Sequence, residues 1–258
     1  MKPPKLSIVI PVKGVQGLTY DCLRDIKQNT DPEVLPYEVV IFDSPSEERF
    51  RPNWFFNQLA PLAGSDLPLI VEYSQDPNIG MYELLNRAVE HTRGDYLAII
   101  NNDLAIGNKC FEHLLEAMHL YDLESVYPSV LTNPGALPAD WYELAQQRSE
   151  QPTQIVGPPE WRGWFIVVSR RVWEKVGGFD EHYFMNYGDN DFFETLRREG
   201  FPSRQVSNAV VHHYQGQTNR PDWYENPGLR NGAAETKYFR EKWGFEVYEQ
   251  GRRNLGLP

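Results

Sequence analysis

A short polar segment follows one of the most apolar runs in the chain. Residues 96–100 have the character of a buried strand, and Asn101, Asn102 and Asp103 come directly after them. Amide and carboxylate oxygens at a strand end can bind a divalent cation and the diphosphate of a nucleotide. Asn and Asp are also favoured turn residues, so an ordinary turn is the alternative interpretation of this segment.

A second acidic group lies in the C-terminal half, where Asp189 and Asp191 follow Gly188 at the start of a predicted helix. A carboxylate at the position of Asp189 could accept a proton from a substrate hydroxyl. A plain N-cap is the commoner role of an isolated Asp before a helix, and it stays open here. Asp191 is expected to orient a substrate or to bond the amides of its own helix.

Two adjacent histidines, His212 and His213, end a predicted strand. Because side chains alternate along a strand, one ring would point inward and the other outward. A histidine that joins a distant carboxylate and two phosphates would complete a nitrogen and oxygen shell suited to Mn²⁺. A strand histidine is usually structural, and the sequence does not decide which of the two rings would bind metal.

The elements that must position these residues alternate between strand and helix along the first half of the chain. The pattern predicts strands at 6–12, 37–42, 69–73 and 96–100, and helices at 18–30, 53–62 and 81–92. This order predicts a Rossmann-like α/β fold, with a mainly parallel central sheet flanked by helices. Since ligands bind beyond the carboxyl ends of such strands, Pro11, Val12, Asp43 and the segment 101–103 should converge on one nucleotide crevice.

The second half is expected to continue the same domain. The pattern predicts helices at 109–121, 141–148, 169–176, 189–199 and 233–243, and strands at 163–168 and 206–213. Residues 128–159 are rich in Pro, Gly, Asn and Gln, which predicts a mobile excursion rather than a domain boundary. We therefore predict a single domain with a nucleotide-binding half at 1–104. An acceptor-binding half at 105–258 would end in a C-terminal helical extension.

Composition limits the classes of function. The chain has 258 residues, 41% of them hydrophobic, which is enough for one sizeable core. A formal charge of −11 removes the usual electrostatic driving force for binding nucleic acid. Neither a glycine-rich dinucleotide motif after the first strand nor a Gly-Lys-Ser/Thr phosphate loop is found.

The cysteines and the apolar runs bear on location. Cys22 and Cys110 are isolated in predicted helices, which predicts buried free thiols and a reducing compartment. The N-terminal apolar run is too short for a signal-peptide core, and no later run approaches the length of a membrane span. We therefore expect a cytoplasmic protein without a transmembrane segment.

The order of these motifs resembles that of family-2 glycosyltransferases with the GT-A fold. On the donor side the similar segments are the first strand at 6–12, the second strand ending in Asp43, Asn78-Ile79-Gly80 with Asn86-Arg87, and Asn101-Asn102-Asp103. On the acceptor side they are 163–181, Gly188-Asp189-Asn190-Asp191, Val211-His212-His213 and a C-terminal helix ending at Gly244. Residues 128–159 have no evident counterpart in the family.

The resemblance implies an inverting transfer of a sugar from a nucleotide-diphosphate donor to a hydroxyl of a glycan or other acceptor. Asp189 would be the catalytic base, and Asp103 with His212 or His213 would bind Mn²⁺ or Mg²⁺. Trp164 and Asp191 would contact the acceptor. Donor-binding residues would be Pro11, Val12, Asp43, Asn78, Arg87, Asn101, Asn102 and Asp103.

Two positions depart from the family pattern, since Asn101 replaces the usual first acid and Gly188 stands where Glu is common. These departures motivate one alternative, a non-catalytic module that binds nucleotide sugars or glycans. A second alternative is a nucleotidyltransferase on a related scaffold, which would release pyrophosphate. UDP is the expected carrier, although the Asn-Asn-Asp form also resembles enzymes that use dTDP-rhamnose. The acceptor and the oligomeric state stay open.

Overall fold

The computed structural model of the protein describes residues 3–14, 16–44, 69–74, 79–132, 135–156, 163–215 and 232–246. The described strands are β1 Leu6–Val12, β2 Tyr37–Asp43, β3 Leu69–Tyr73, β4 Tyr96–Ile100, β5 Leu104–Ile106, β6 Ser125–Val130, β7 Ile155–Val156, β8 Phe165–Ser169 and β9 Arg204–His213. The described helices are α1 Gln16–Asn29, α2 Met81–Glu90, α3 Cys110–Leu120, α4 Trp141–Ser149, α5 Arg170–Val176, α6 Gly188–Arg198 and α7 Gly232–Trp243. The helix predicted at 53–62 lies outside the described residues.

One sheet contains all the described strands, in the order β3-β2-β1-β4-β8-β6-β9-β5, with β7 paired to β9. The strands from β3 to β4 are parallel, as the alternating pattern of the first half predicts. Beyond β4 the sheet is mixed, because β8 runs antiparallel to both β4 and β6, while β6 and β9 are parallel. The predicted α/β sheet flanked by helices is confirmed, and the mainly parallel pairing holds only for its first half.

Two apolar clusters cover the two faces of the sheet. One joins α1 and α3 to the sheet through side chains such as Ile26 and Phe111, and the other joins α2, α5, α6 and α7 through residues such as Leu85 and Phe192. The strands are buried on both faces, which explains why β1 and β2 read as continuous apolar runs.

The excursion predicted to be mobile packs on the sheet over residues 135–156. Trp141 at the start of α4 is fully buried against Ala105 and Val210, and β7 pairs with β9. The hydroxyl of Tyr142 also donates to the buried Asp25 carboxylate of α1 at 2.9 Å. The composition of this segment predicted mobility, but the segment packs on the core through its aromatic side chains.

Both cysteines are free and buried, as predicted from their isolation in the sequence. Across the part of the chain that the structure covers, no helix has both the length and the apolar character needed to cross a bilayer.

Candidate active site

Residues 101–103 form the link between two strands that occupy different places in the sheet. They leave β4, which pairs with β1 and β8, and enter β5, which pairs with β9. Only three residues connect β4 to β5. The start of β5, and with it the end of its partner β9, must therefore lie close to the carboxyl end of β4. The amide of Asn101 donates to the carbonyl of Trp164 at 2.9 Å, which fixes the start of β8 beside the segment.

Asp103 and His213 face each other across the pair formed by β5 and β9. The register sets Leu104 opposite His213, and Nε2 of His213 lies 3.2 Å from Oδ1 of Asp103. The Asp103 side chain is 3% exposed, and among the described residues its Oδ1 atom accepts no hydrogen bond of good geometry, because the contact with His213 meets only the distance expected of an ion pair. A buried carboxylate oxygen without a donor is costly unless a cation balances it. This arrangement of one oxygen and one nitrogen fits a divalent metal ion.

The neighbouring His212 has a different environment. Its Nδ1 atom is 2.7 Å from the hydroxyl of Thr132, and its Nε2 atom is 2.9 Å from the carbonyl of Gly135. The ring is fully buried and forms an edge contact with Trp141. Both ring nitrogens are therefore engaged by the protein, and the geometry favours His213 over His212 as the metal ligand.

Trp164 lies between the two halves of the site. Its ring is tilted by 32° over the ring of His213, at a centroid distance of 4.6 Å. The side chain is only partly buried, so part of the indole that lies on the His213 ring is exposed. This position suits the predicted wall for a sugar or an acceptor.

Asp189 packs against the residue that precedes Trp164. A Cβ atom at position 163 would lie 1.8 Å from Oδ2 of Asp189, so only a glycine leaves room for the carboxylate there. The hydroxyl of Tyr82 donates to the other oxygen, Oδ1, at 3.3 Å. Burial raises the pKa of Asp189 above its ordinary value of 3.8, opposed by the amides of Asn190 and Asp189 and by Tyr82.

The start of α6 differs in detail from the expected cap. Tyr187 precedes the helix in the left-handed conformation, with φ 64°, and the helix begins at Gly188. Asp189 therefore lies within the first turn instead of capping it. The helix amides still stabilise its charged form, because they face the carboxylate at the positive end of the helix.

A continuous set of contacts joins the two acidic groups. Asp103 meets His213, the ring of His213 lies on Trp164, and Gly163 next to Trp164 packs on Asp189. Both carboxylates are thus connected, through these contacts, to the residues at the start of β8.

Asp191 has contacts that do not fit the predicted acceptor role. It is 2% exposed, and its oxygens accept from Tyr183 at 3.1 Å, Lys242 at 2.9 Å and Trp243 at 2.8 Å. These donors are all protein groups, and two of them belong to α7. Asp191 therefore anchors the C-terminal helix to α6, which corrects the sequence-based prediction.

The predicted donor residues fall into separate groups. Val12 and Asp43 lie opposite each other at the ends of β1 and β2, next to Pro11, as the crevice model expects. Asn102 is buried and donates to the hydroxyl of Thr19 at 2.8 Å, so its amide braces α1 instead of facing a ligand.

Two further donor residues were predicted on either side of the start of α2. Arg87 is 52% exposed and pairs with Glu83 one turn away on the same helix, and its predicted contact with the donor stays a prediction. Asn78 lies outside the described residues.

Several residues that shape the site escaped the sequence analysis. Glu235 of α7 accepts the amide of Met185 at 3.0 Å and the side-chain amide of Asn186 at 2.8 Å, and so holds the loop before Asp189. Tyr82 and Gly163 contact Asp189 directly. All three contacts join residues far apart in the chain, and a Glu or Tyr on a helix carries no local signal for them.

The family model described as glycosyl transferase family 2 matches residues 7–186. The chain belongs to this family. It therefore carries a glycosyltransferase domain, and the matched region includes both the Asn-Asn-Asp segment and the start of β8.

Curated relatives and solved structures agree with this assignment. An N-acetylglucosaminyl-diphospho-decaprenol L-rhamnosyltransferase of Mycobacterium tuberculosis is 27% identical over 165 residues, which cover 54% of this chain. The match spans 53% of that relative, about half its length.

Similar folds are found in a mannosyltransferase from Pyrobaculum calidifontis with GDP-Man and Mn²⁺ (TM-score 0.65, 16% identity, 98% of this chain, 70% of that one). A similar fold is also found in GalNAc-T7 with UDP, GalNAc and Mn²⁺, with a TM-score of 0.65 and 14% identity over 98% of this chain and 55% of that one. S. aureus TarS 1-349 has a TM-score of 0.60 and 13% identity over 98% of this chain and 79% of that one. These likenesses confirm the GT-A fold.

Proposed function

We propose that the protein transfers a sugar, with inversion and with the help of a divalent metal, from a nucleoside-diphosphate donor to an acceptor hydroxyl. The single observation that carries this proposal is the set of contacts joining the Asp103–His213 pair to Asp189 through Trp164 and Gly163.

Asp103 and His213 would hold the metal ion, which would balance the charge of the diphosphate leaving group. In the described ranges no three His, Cys, Asp or Glu side chains are arranged to hold a metal. From the described residues, Asp103 and His213 would supply two ligands, and donor phosphates and water could supply others. The Mn²⁺ in the mannosyltransferase and GalNAc-T7 structures supports a divalent cation in this fold.

Asp189 would take the proton of the acceptor hydroxyl on Oδ1 or Oδ2. The acceptor oxygen forms a bond to the anomeric carbon as the bond from that carbon to the phosphate oxygen breaks. The electron pair leaves with the nucleoside diphosphate, so one displacement inverts the anomeric centre. Burial suits this role, because a raised pKa makes the Asp189 carboxylate a better proton acceptor near neutral pH.

For the donor we propose either a UDP-sugar or dTDP-rhamnose. The UDP and GDP-Man complexes of the similar structures support a nucleoside-diphosphate sugar in general. The name of the mycobacterial relative supports an L-rhamnosyl donor and an acceptor that carries a glycan on a lipid diphosphate.

The decisive experiment incubates the protein with a panel of nucleotide sugars and Mn²⁺ or Mg²⁺, and measures the nucleoside diphosphate that is released by hydrolysis or transfer. We expect release with one donor, and a roughly 10²- to 10⁴-fold lower transfer rate for Asp189→Asn with donor binding kept. Release of pyrophosphate would instead identify a nucleotidyltransferase. Binding without release for every donor would identify a non-catalytic module.

A further inference from the structure

The backbone conformation at position 188 does not require a glycine. Its φ is not among the positive values that favour glycine, and it lies in the first turn of α6. The reason is the ring of Tyr82 on α2. A Cβ atom at position 188 would lie 2.4 Å from Cε2 and 2.6 Å from Cζ of that ring, well inside any real contact. The absence of a side chain at position 188 therefore leaves the space that the Tyr82 ring occupies.

The ring at this place ends in a hydroxyl that faces Asp189. Tyr82 is 2% exposed, and its hydroxyl lies 3.3 Å from Oδ1 of Asp189 and 3.4 Å from the carbonyl of Met185. Phe179 packs on the ring at a centroid distance of 5.2 Å. The phenol is thus held between the loop before α6 and the carboxylate of the proposed base.

We infer that Tyr82 is a positioning residue that orients the Asp189 carboxylate toward the acceptor hydroxyl, and that Gly188 is the space this phenol needs. The inference rests on the proposed function of Asp189 as the base. With Gly163 packed on Oδ2 and Tyr82 bonded to Oδ1, the carboxylate is held from both sides.

The charge environment agrees with a donor role for the phenol. Burial and the nearby charges of Asp189 and Glu235 raise the pKa of Tyr82 well above 10.0, so the hydroxyl keeps its proton at neutral pH. The groups that face Asp189 are this hydroxyl, the amides of Asp189 and Asn190, and the Gly163 backbone. A hydrogen bond from the phenol stabilises the charged carboxylate and lowers its pKa.

The test compares Tyr82→Phe with Tyr142→Phe, measuring kcat for transfer as a function of pH. Tyr82→Phe keeps the ring and removes the hydroxyl, so the acid limb of the profile should move up by about one pH unit, with an unchanged KM for the donor. Tyr142→Phe removes a hydroxyl that donates to another buried carboxylate, that of Asp25, and should leave the profile unchanged.

A second variant keeps the inference testable if Tyr82→Phe folds poorly. Gly188→Ala should push the ring from its place and move the acid limb in the same direction. A wild-type profile for Tyr82→Phe, or an equal loss at every pH, would overturn the inference while an inactive Asp189→Asn still supports the base. Full transfer by Asp189→Asn would instead overturn the proposed function.

Discussion

The two adjacent histidines show how far single residues can differ within one strand. The ring nitrogens of His212 contact Thr132 and Gly135, whereas Nε2 of His213 lies 3.2 Å from Oδ1 of Asp103. Their alternation could be predicted from the strand period, but the choice between them could not. It depends on contacts with a segment about 80 residues earlier in the chain, which no local pattern encodes.

This difference predicts separable effects of two substitutions. His213→Ala should raise the Mn²⁺ concentration needed for half-maximal transfer by roughly tenfold or more, because it removes the proposed metal ligand. His212→Ala should lower thermal stability, since it leaves two polar groups without partners, and should change the metal requirement less. His119→Ala, an exposed histidine on α3, serves as the control. The same metal titration for His213→Ala and wild type would contradict the assignment.

The pH dependence of transfer follows from Asp189. Burial raises its pKa above 3.8, and a base must be deprotonated to act, so kcat should fall as the pH drops through that raised value. Activity lost at low pH should return on neutralisation, which separates titration from unfolding. An acid limb centred at or below 3.8, with circular dichroism showing a folded protein, would argue against a buried carboxylate base.

Among the elements, α7 is the one whose role in the site the sequence did not reveal. The sequence predicted a helix at 233–243, and Phe239 within it is fully buried. The polar contacts of α7 were not predicted, although Glu235 holds the loop at 184–186 and Lys242 and Trp243 hold Asp191. The helix thus fixes both the approach to α6 and its first turn.

Glu235→Gln should therefore affect catalysis as well as stability. A neutral amide replaces an acceptor shared by several backbone amides, so we expect a loss of about 1 to 3 kcal/mol in the free energy of unfolding and a lower kcat. Differential scanning fluorimetry and transfer assays measure the two effects. Glu241→Gln on the same helix should change neither, because the Glu241 side chain is 61% exposed and its ion pair with Lys237 is long, at 3.7 Å. Equal effects of the two variants would remove this role from Glu235.

The strands illustrate a second limit of local patterns. β1, β2 and β4 were predicted from apolar runs because they are buried on both faces. β5 and β7 are too short to show a period, and β6 contains Pro128 within a segment that reads as a loop. These strands form through pairing with β8 and β9, which is a long-range effect.

At the scale of the whole molecule, the sequence order predicted the class of fold but not the direction of the strands beyond β4. The repeated βαβ rhythm requires parallel neighbours in the first half. In the second half no such rhythm exists, and only the three-dimensional pairing shows that β8 lies antiparallel beside β4.

Binding of donor and metal to the folded protein should raise its free energy of unfolding. A correct donor with Mn²⁺ should raise the unfolding free energy by about 2.7 kcal/mol at 100 times its dissociation constant. Asp103→Asn should lose the part of this gain that requires metal, whereas Asp189→Asn should keep it. Thermal melts of each variant, with donor and metal together and separately, give these values. A metal-dependent gain that survives in Asp103→Asn would place the cation elsewhere.

The ladder between β4 and β8 also has a mechanical consequence. It runs from the pair of Tyr96 with Ser169 to the pair of Ile100 with Phe165, and so ties the strand before Asn101 to the strand after Trp164. Separating the two halves of the sheet at this ladder would break its backbone hydrogen bonds, so we expect β4 and β8 to move as one body. We therefore expect that a change in which sugar or acceptor is admitted needs changes in the loops at the strand ends, while this ladder is kept.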